Sequence, residues 1–176
     1  MNRTVILLLL CALFAGCRDV PTYEVSAPKG DSLQEKMIGA NRLIAKSEES
    51  QIEAYVARRG WQMERLADGV RVMEMEAGSR ELMAEDTVDI RYNVLTLGGD
   101  NIYTGREERV VVGRLKPTRG LDAALRTLHE GARAMVIVPS EQAYGVIGDG
   151  ERIGSRAVLV YELEVGRRQR GANRNN

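Results

Sequence analysis

Residues from position 32 onward carry two hydrophobic rhythms. Leu33, Met37, Ala40, Leu43 and Ile44 recur at spacings of three and four, which predicts a helix over 32–46. Ser47 reads as the N-cap of a second helix. Glu48 and Glu49 would fill its first turn, where the backbone dipole favours acids. Ile52, Tyr55 and Val56 would turn inward, and Arg58-Arg59-Gly60 would end it. From Trp61 the period shortens. Val70–Met75 reads as a strand after an Asp68-Gly69 turn. Asp86–Leu97 alternates and runs into Gly98-Gly99-Asp100, a hairpin signal. Ile102–Tyr103 and Arg109–Val112 are further extended segments. Leu121, Ala124, Leu125 and Leu128 mark a short amphipathic helix, and 133–138 and 157–165 read as the last two strands. Several antiparallel strands with one short helix between them predict an α+β fold, a curved antiparallel sheet packed on one helix and preceded by a helical extension.

The first 17 residues follow neither rhythm. Arg3 precedes an apolar run from Val5 to Ala15, too short to span a bilayer, where about 20 residues are needed. This reads as an export signal. Its end, Phe14-Ala15-Gly16-Cys17, resembles a bacterial lipobox, in which the cysteine is acylated and becomes the new N-terminus; Phe14 stands where a leucine is usual. The expected organisation is a signal peptide over 1–16, a tether over 17–31, the helical extension over 32–60, a folded domain over 61–166 and a disordered tail over 167–176. Cys17 is the expected lipidation site. Arg18 after the cysteine favours delivery to the outer membrane, facing the periplasm. Cleavage would remove Phe14, the chain's one phenylalanine, and Cys11, leaving no internal disulfide.

Composition narrows the chemistry. The 176 residues hold 25 Lys+Arg against 25 Asp+Glu, so nothing points to nucleic acid as a partner. One histidine and two cysteines exclude a His- or Cys-rich metal centre, and no metal or other cofactor is expected. A serine triad would have to use His129, which instead reads as a helix-end residue favoured by the dipole. Glu107-Glu108 reads as a solvated pair, and Asp149-Gly150-Glu151 is too short for an EF-hand calcium loop.

One ordered set of motifs does carry chemistry: Glu130-Gly131-Ala132-Arg133, Val138-Pro139, Ala143-Tyr144-Gly145, Ile153, and Ala157 through Val165. Arg91-Tyr92, Gly98-Gly99, Val112-Gly113 and Gly120-Leu121 add landmarks in the same order. From about Gly69 to Val165 the chain resembles the FK506-binding (FKBP) family of peptidyl-prolyl cis-trans isomerases. The lipobox, the helices and the A-Y-G-V-I-G-D-G loop also resemble FKBP-domain lipoproteins associated with gliding motility. The resemblance implies an FKBP-like sheet and an isomerase that needs neither nucleophile nor metal. An X-Pro amide resists rotation by about 18–20 kcal/mol because of its double-bond character. Twisting it removes resonance and reduces the carbonyl dipole, so an apolar, dry cleft disfavours the planar form more than the twisted one.

The resemblance also assigns roles. Tyr144 matches a tyrosine whose hydroxyl donates to a ligand carbonyl, and Ile153 an isoleucine whose backbone N–H does likewise. Tyr103 falls on an aspartate that orders the pocket, giving Tyr144, Ile153 and Tyr103 as the catalytic set. Tyr92, Ile102, Pro117, Thr118, Leu121 and Tyr161 would bind substrate, with Leu121 on the floor and Tyr161 deep in the cleft. The chain departs from the family at Ile102-Tyr103, at Glu108 or Val110 where a phenylalanine is usual, at Pro117-Thr118 and at Gly154-Ser155. A shallower, more polar pocket is expected. The partners expected are proline-containing segments of exported proteins, the membrane through the lipid anchor, and a second copy through the helical extension. A non-catalytic chaperone or interaction module of an envelope assembly is the alternative.

Overall fold

Nothing between Gly30 and Arg59 breaks a helix: the segment lacks proline and is rich in Ala, Glu, Lys, Leu and Arg. The computed structural model, which describes residues 30–169, accordingly shows one continuous helix, α1 (Gly30–Arg59), where the sequence predicted two. Ser47 does not cap; its Oγ accepts from the Gln51 side chain at 3.2 Å inside the helix. The helix begins within the segment read as a tether. The buried face is the predicted one in part. Ile52 and Tyr55 are buried as expected, joined by Glu48, whereas Leu33, Met37 and Leu43 are exposed, Leu43 by 72%. The signal peptide, Cys17 and residues 170–176 lie outside the described residues. No helix among the described residues is long and apolar enough to cross a membrane. Contacts divide the chain into two units, Met1–Ile38 and Gly39–Asn176, and everything below concerns the second.

Six strands follow: β1 (Glu64–Arg65), β2 (Arg71–Glu76), β3 (Thr87–Thr96), β4 (Asn101–Val111), β5 (Arg133–Val138) and β6 (Leu159–Gln169). All neighbours are antiparallel, in the order β1-β2-β5-β6-β3-β4. Alternation sorts the side chains by face. Val72, Val88, Ile90, Tyr92, Val94, Ala134, Val136, Val138, Tyr161 and Leu163 share the main core with the helix α2 (Arg119–Leu125). Met73, Leu95, Met135, Ile137, Val158 and Val160 face the other way, toward Ile52 and Tyr55 of α1.

Three boundaries differ from the sequence reading. β4 is a single strand, because an edge strand with one solvated face accommodates the charged run 106–109 that had split it in two. β6 continues past 166, where a tail was expected, and pairs Gln169 with Thr87. α2 is shorter and starts earlier than predicted, because Thr118 caps it by accepting the Leu121 N–H at 3.2 Å. Gly120 fixes the docking of α2, since a Cβ there would lie 2.3 Å from Val138 Cγ1.

Candidate functional site

The cleft grows from strand register. β3 and β4 pair Val88 with Val110, Ile90 with Glu108 and Tyr92 with Arg106, so these six share the face toward α2. Down that ribbon the lining passes from aliphatic to charged. Both positions weighed for the family's phenylalanine therefore lie on the inner face: Val110 is buried and Glu108 half-buried. Glu108 is not the solvated residue that the sequence suggested. Its Oε1 accepts from the Tyr92 hydroxyl at 2.9 Å.

On the neighbouring strand Tyr161 pairs with Val94 and Val136, which places it diagonally from Tyr92. The two rings sit 5.6 Å apart at a tilt of 60°. Tyr161 is fully buried and its hydroxyl bonds the hydroxyl of Thr118 at the start of α2. Leu121, one turn on, is wholly buried in the same core. Ile102 and Ile153 belong to that core, and Tyr103 and Tyr144 pack against it. Of the residues singled out from the sequence, Tyr92, Ile102, Tyr103, Thr118, Leu121, Tyr144, Ile153 and Tyr161 are thus brought together. Pro117 is half-buried in the turn before α2.

Tyr144 comes from the loop after β5. Val138-Pro139 leads into a 3₁₀ turn at Ser140–Gln142, and the Ser140 carbonyl accepts the N–H groups of both Ala143 (3.1 Å) and Gly145 (2.8 Å). The Tyr144 hydroxyl has no hydrogen-bond partner among the described residues. Burial, then the charges of Glu108 and Asp149, push Tyr144 above the ordinary phenol value, against the pull of Arg106. Burial likewise raises Tyr92, helped by its bond to Glu108, and raises Tyr161 despite the Thr118 bond. All three hydroxyls keep their protons at neutral pH and can donate.

Two of the expected catalytic residues are otherwise engaged. The Ile153 N–H donates to Asp149 Oδ1 at 2.8 Å, beside the N–H groups of Glu151 (2.9 Å) and Arg152 (3.0 Å). An amide committed to a carboxylate is not available to a ligand carbonyl, so the role expected of Ile153 is not supported. The single Tyr103 hydroxyl proton is directed to Asp149 Oδ2 at 2.5 Å, with Glu151 Oε2 beside it at 3.2 Å. Those bonds, with Asp149 first, push Tyr103 up to about 12. Burial disfavours ionised Asp149, but the Tyr103 hydroxyl and three backbone N–H groups outweigh it and hold the carboxyl at about 2. Here the strand carries the phenol and the loop carries the carboxylate. Gly148 makes this loop possible, since its φ is +77° and a Cβ would meet the Ile153 carbonyl oxygen at 2.2 Å.

Sequence reasoning missed Asp149 and Glu108. The tight Asp149-Gly150-Glu151 spacing, typical of a side chain folding back on its own backbone, was the available signal for the first. Alternation with Val110 was the signal for the second. His129, expected to serve a helix dipole, lies beyond the end of α2 and pairs instead with Glu74 Oε1 at 3.0 Å. Among the described residues no group of three or more His, Cys, Asp or Glu is arranged to hold a metal.

The sheet wraps on one short helix, and aromatic side chains from β3, β6 and the β5–β6 loop gather at the core beside it. The family model of the FKBP-type peptidyl-prolyl cis-trans isomerases matches residues 78–166, and the chain belongs to that family. It is 34% identical over 101 residues to a probable FKBP-type 25 kDa peptidyl-prolyl cis-trans isomerase of Pseudomonas aeruginosa, a match covering 57% of this chain and 44% of that protein. It is 35% identical over 85 residues to human peptidyl-prolyl cis-trans isomerase FKBP9, covering 46% of this chain and 15% of that one. The chain thus spans less than half the length of these curated relatives. Among solved structures, a peptidyl-prolyl isomerase from Pseudomonas syringae pv. tomato superposes with a TM-score of 0.61 at 25% identity, over 73% of this chain and 96% of that one. The N-terminal domain of Arabidopsis thaliana FKBP42 (TM-score 0.57, 24% identity, 62% and 93% covered) shares the fold.

Proposed function

We propose that this protein catalyses cis-trans isomerisation of X-Pro bonds in exported proteins of the bacterial envelope, working from a lipid anchor at Cys17 on the periplasmic side of the outer membrane. The observation that carries the catalytic reading is the unpartnered Tyr144 hydroxyl beside a floor of Tyr92, Tyr161 and Leu121. A prolyl ring entering there leaves water for an aromatic and aliphatic surface. Tyr144 then donates to the adjoining carbonyl and fixes it while the C–N bond turns. Every tenfold acceleration requires about 1.4 kcal/mol of preference for the twisted amide. Thr118, at the foot of the same wall, contributes its side chain to the Tyr161 hydroxyl and so holds the floor in place.

The lipoprotein assignment rests on the Phe14-Ala15-Gly16-Cys17 pattern, and Cys17→Ala tests it by abolishing acyl labelling. The second copy proposed for the helical extension rests on Leu43, exposed by 72%. Sedimentation of the full chain in detergent, beside Leu43→Glu, checks that association. One observation favours the non-catalytic alternative: the Glu108 carboxylate lies on the cleft wall, where it adds charge to a site that works by desolvation.

The deciding experiment measures isomerisation of short X-Pro peptides by the full chain in detergent. Catalysis is expected, with Tyr144→Phe lowering kcat/KM about tenfold, or about 1.4 kcal/mol, and leaving the melting temperature unchanged. A folded chain that leaves every peptide at its uncatalysed rate would overturn the enzymatic reading and leave the interaction module.

A further inference from the structure

Glu48 and Glu49 lie in the middle of α1 and have no helix end of their own to serve. Glu48 sits in mid-helix, yet it is 9% exposed and both of its carboxylate oxygens are occupied. Oε1 accepts the Ser140 hydroxyl at 2.6 Å and Oε2 accepts the Ser140 backbone N–H at 3.0 Å. These bonds bridge 92 positions of sequence and cap the 3₁₀ turn that leads to Tyr144. The same Ser140 holds both flanks of Tyr144 through its carbonyl, with Ala143 N–H at 3.1 Å and Gly145 N–H at 2.8 Å. One residue is therefore gripped from α1 on its donor side and grips the tyrosine on its acceptor side. The far side of the loop has separate ties, Arg156 N–H to the Gly145 carbonyl at 2.8 Å and Gly148 N–H to the Tyr144 carbonyl at 3.3 Å. Glu49, the next residue, anchors the helix independently on Arg71 and Arg65. Loss of Glu48 thus frees the turn without freeing the helix.

We infer that Glu48 is a positioning residue for the cleft: through Ser140 it sets the backbone on which Tyr144 is presented, so α1 is a working part of the site. The functional half of this inference rests on the isomerase reading above; the structural half does not. Glu48 touches no substrate. It acts by fixing where the Tyr144 hydroxyl stands, and contributions of this kind appear when a reacting geometry must be held within a fraction of an ångström.

The test uses the full chain in detergent with Glu48→Ala, Glu48→Gln and Ser140→Ala, the last keeping the backbone bond and so the mildest. Amide hydrogen exchange read by NMR is the first measurement. Ala143 and Gly145 are expected to exchange at least tenfold faster in Glu48→Ala, with β5 and β6 unchanged, and Glu48→Gln is expected to fall between it and the parent. Isomerisation of X-Pro peptides is the second. Glu48→Ala is expected to lower kcat/KM about fivefold through kcat, and to have no further effect when Tyr144 is already Phe. Unchanged exchange at Ala143 and Gly145 would overturn the inference whether or not the parent is active. So would a drop in activity that is equally large in the Tyr144→Phe background. A parent inactive on every peptide would overturn the isomerase reading alone, and the exchange data would still decide the role of Glu48.

Discussion

On the side facing α2, Val72, Val136, Tyr161 and Leu163 meet Leu121 and Leu125 in a layer of aliphatic and aromatic side chains. On the opposite side Ile52 and Tyr55 of α1 meet Met135, Ile137, Val158 and Val160 in a smaller cluster, with Trp61 edge-on to Tyr55 at 5.8 Å. The first interface is mainly apolar area, with buried Asp122 of α2 accepting the Gly113 N–H at 2.7 Å. The second joins a distant helix, and its few apolar contacts are supplemented by Glu48 on Ser140 and Glu49 on Arg71 and Arg65. Burial disfavours charge on Glu49, yet the two arginines hold its carboxyl below the ordinary value. A small apolar contact gains a unique seat when polar groups index it, whereas a large one finds its seat by volume.

The largest way to break this contrast is in the cores themselves. Leu125→Ala, on the α2 side, is expected to cost about 4 kcal/mol, and Ile52→Ala, on the α1 side, about 2 kcal/mol. Urea unfolding of each checks both the size and the order. Equal costs would show that the α1 face is as closely packed as the main core.

A smaller effect concerns the loop that the cleft shares with neither face. The folded value of Asp149, about 2, lies below the ordinary 3.8. A depressed value means that the ionised form supports the folded loop above pH 3.8, and that the support is lost as pH falls through about 2. Asp149→Asn should therefore weaken protection of the Ile153 amide at about pH 5 and differ little from the parent near pH 2. Hydrogen exchange across that range checks the sign.

The smallest predicted effect sharpens the reading of the charged end of the cleft. Glu108 should favour a lysine over a glutamate before the proline by about threefold, and Glu108→Gln should abolish that preference. Rates on Lys-Pro, Leu-Pro and Glu-Pro peptides measure it.

These features were not equally legible in the sequence. β3 announces itself by alternation and β5 by an apolar run, because the first has one solvated face and the second packs on both cores, and Ala143-Tyr144-Gly145 marks the loop that delivers the tyrosine. The apolar part of the docking of α1 was legible in Ile52 and Tyr55, but its polar anchors were not. Glu48 was read as capping its own helix; the chemistry of an acid at a helix start was right, but the helix was 92 residues away. Leu43 belonged to a convincing apolar stripe, yet it is exposed among the described residues. The engagement of Ile153 and Tyr103 with Asp149 was not legible for a related reason. A motif names the residue at a position, and whether its N–H or hydroxyl is free depends on Asp149, whose reach back onto the loop leaves only a short Asp-Gly trace.

The borders of the sheet carry one more consequence. One border is β1, two residues long, and the other is β4, whose 106–109 run reads Arg-Glu-Glu-Arg and faces Asp89 and Arg91 of β3 across the ladder. Pairs such as Arg109–Asp89 at 2.7 Å and Arg91–Glu107 at 3.7 Å are exposed and add little to stability. Their value lies in what they prevent. A strand from another molecule that aligned with β4 would have to bring its own backbone against a dense run of fixed charge, and β1 is too short to template anything. A protein whose proposed clients are unfinished chains with open strands would be guarded at both rims against being zipped into their aggregates.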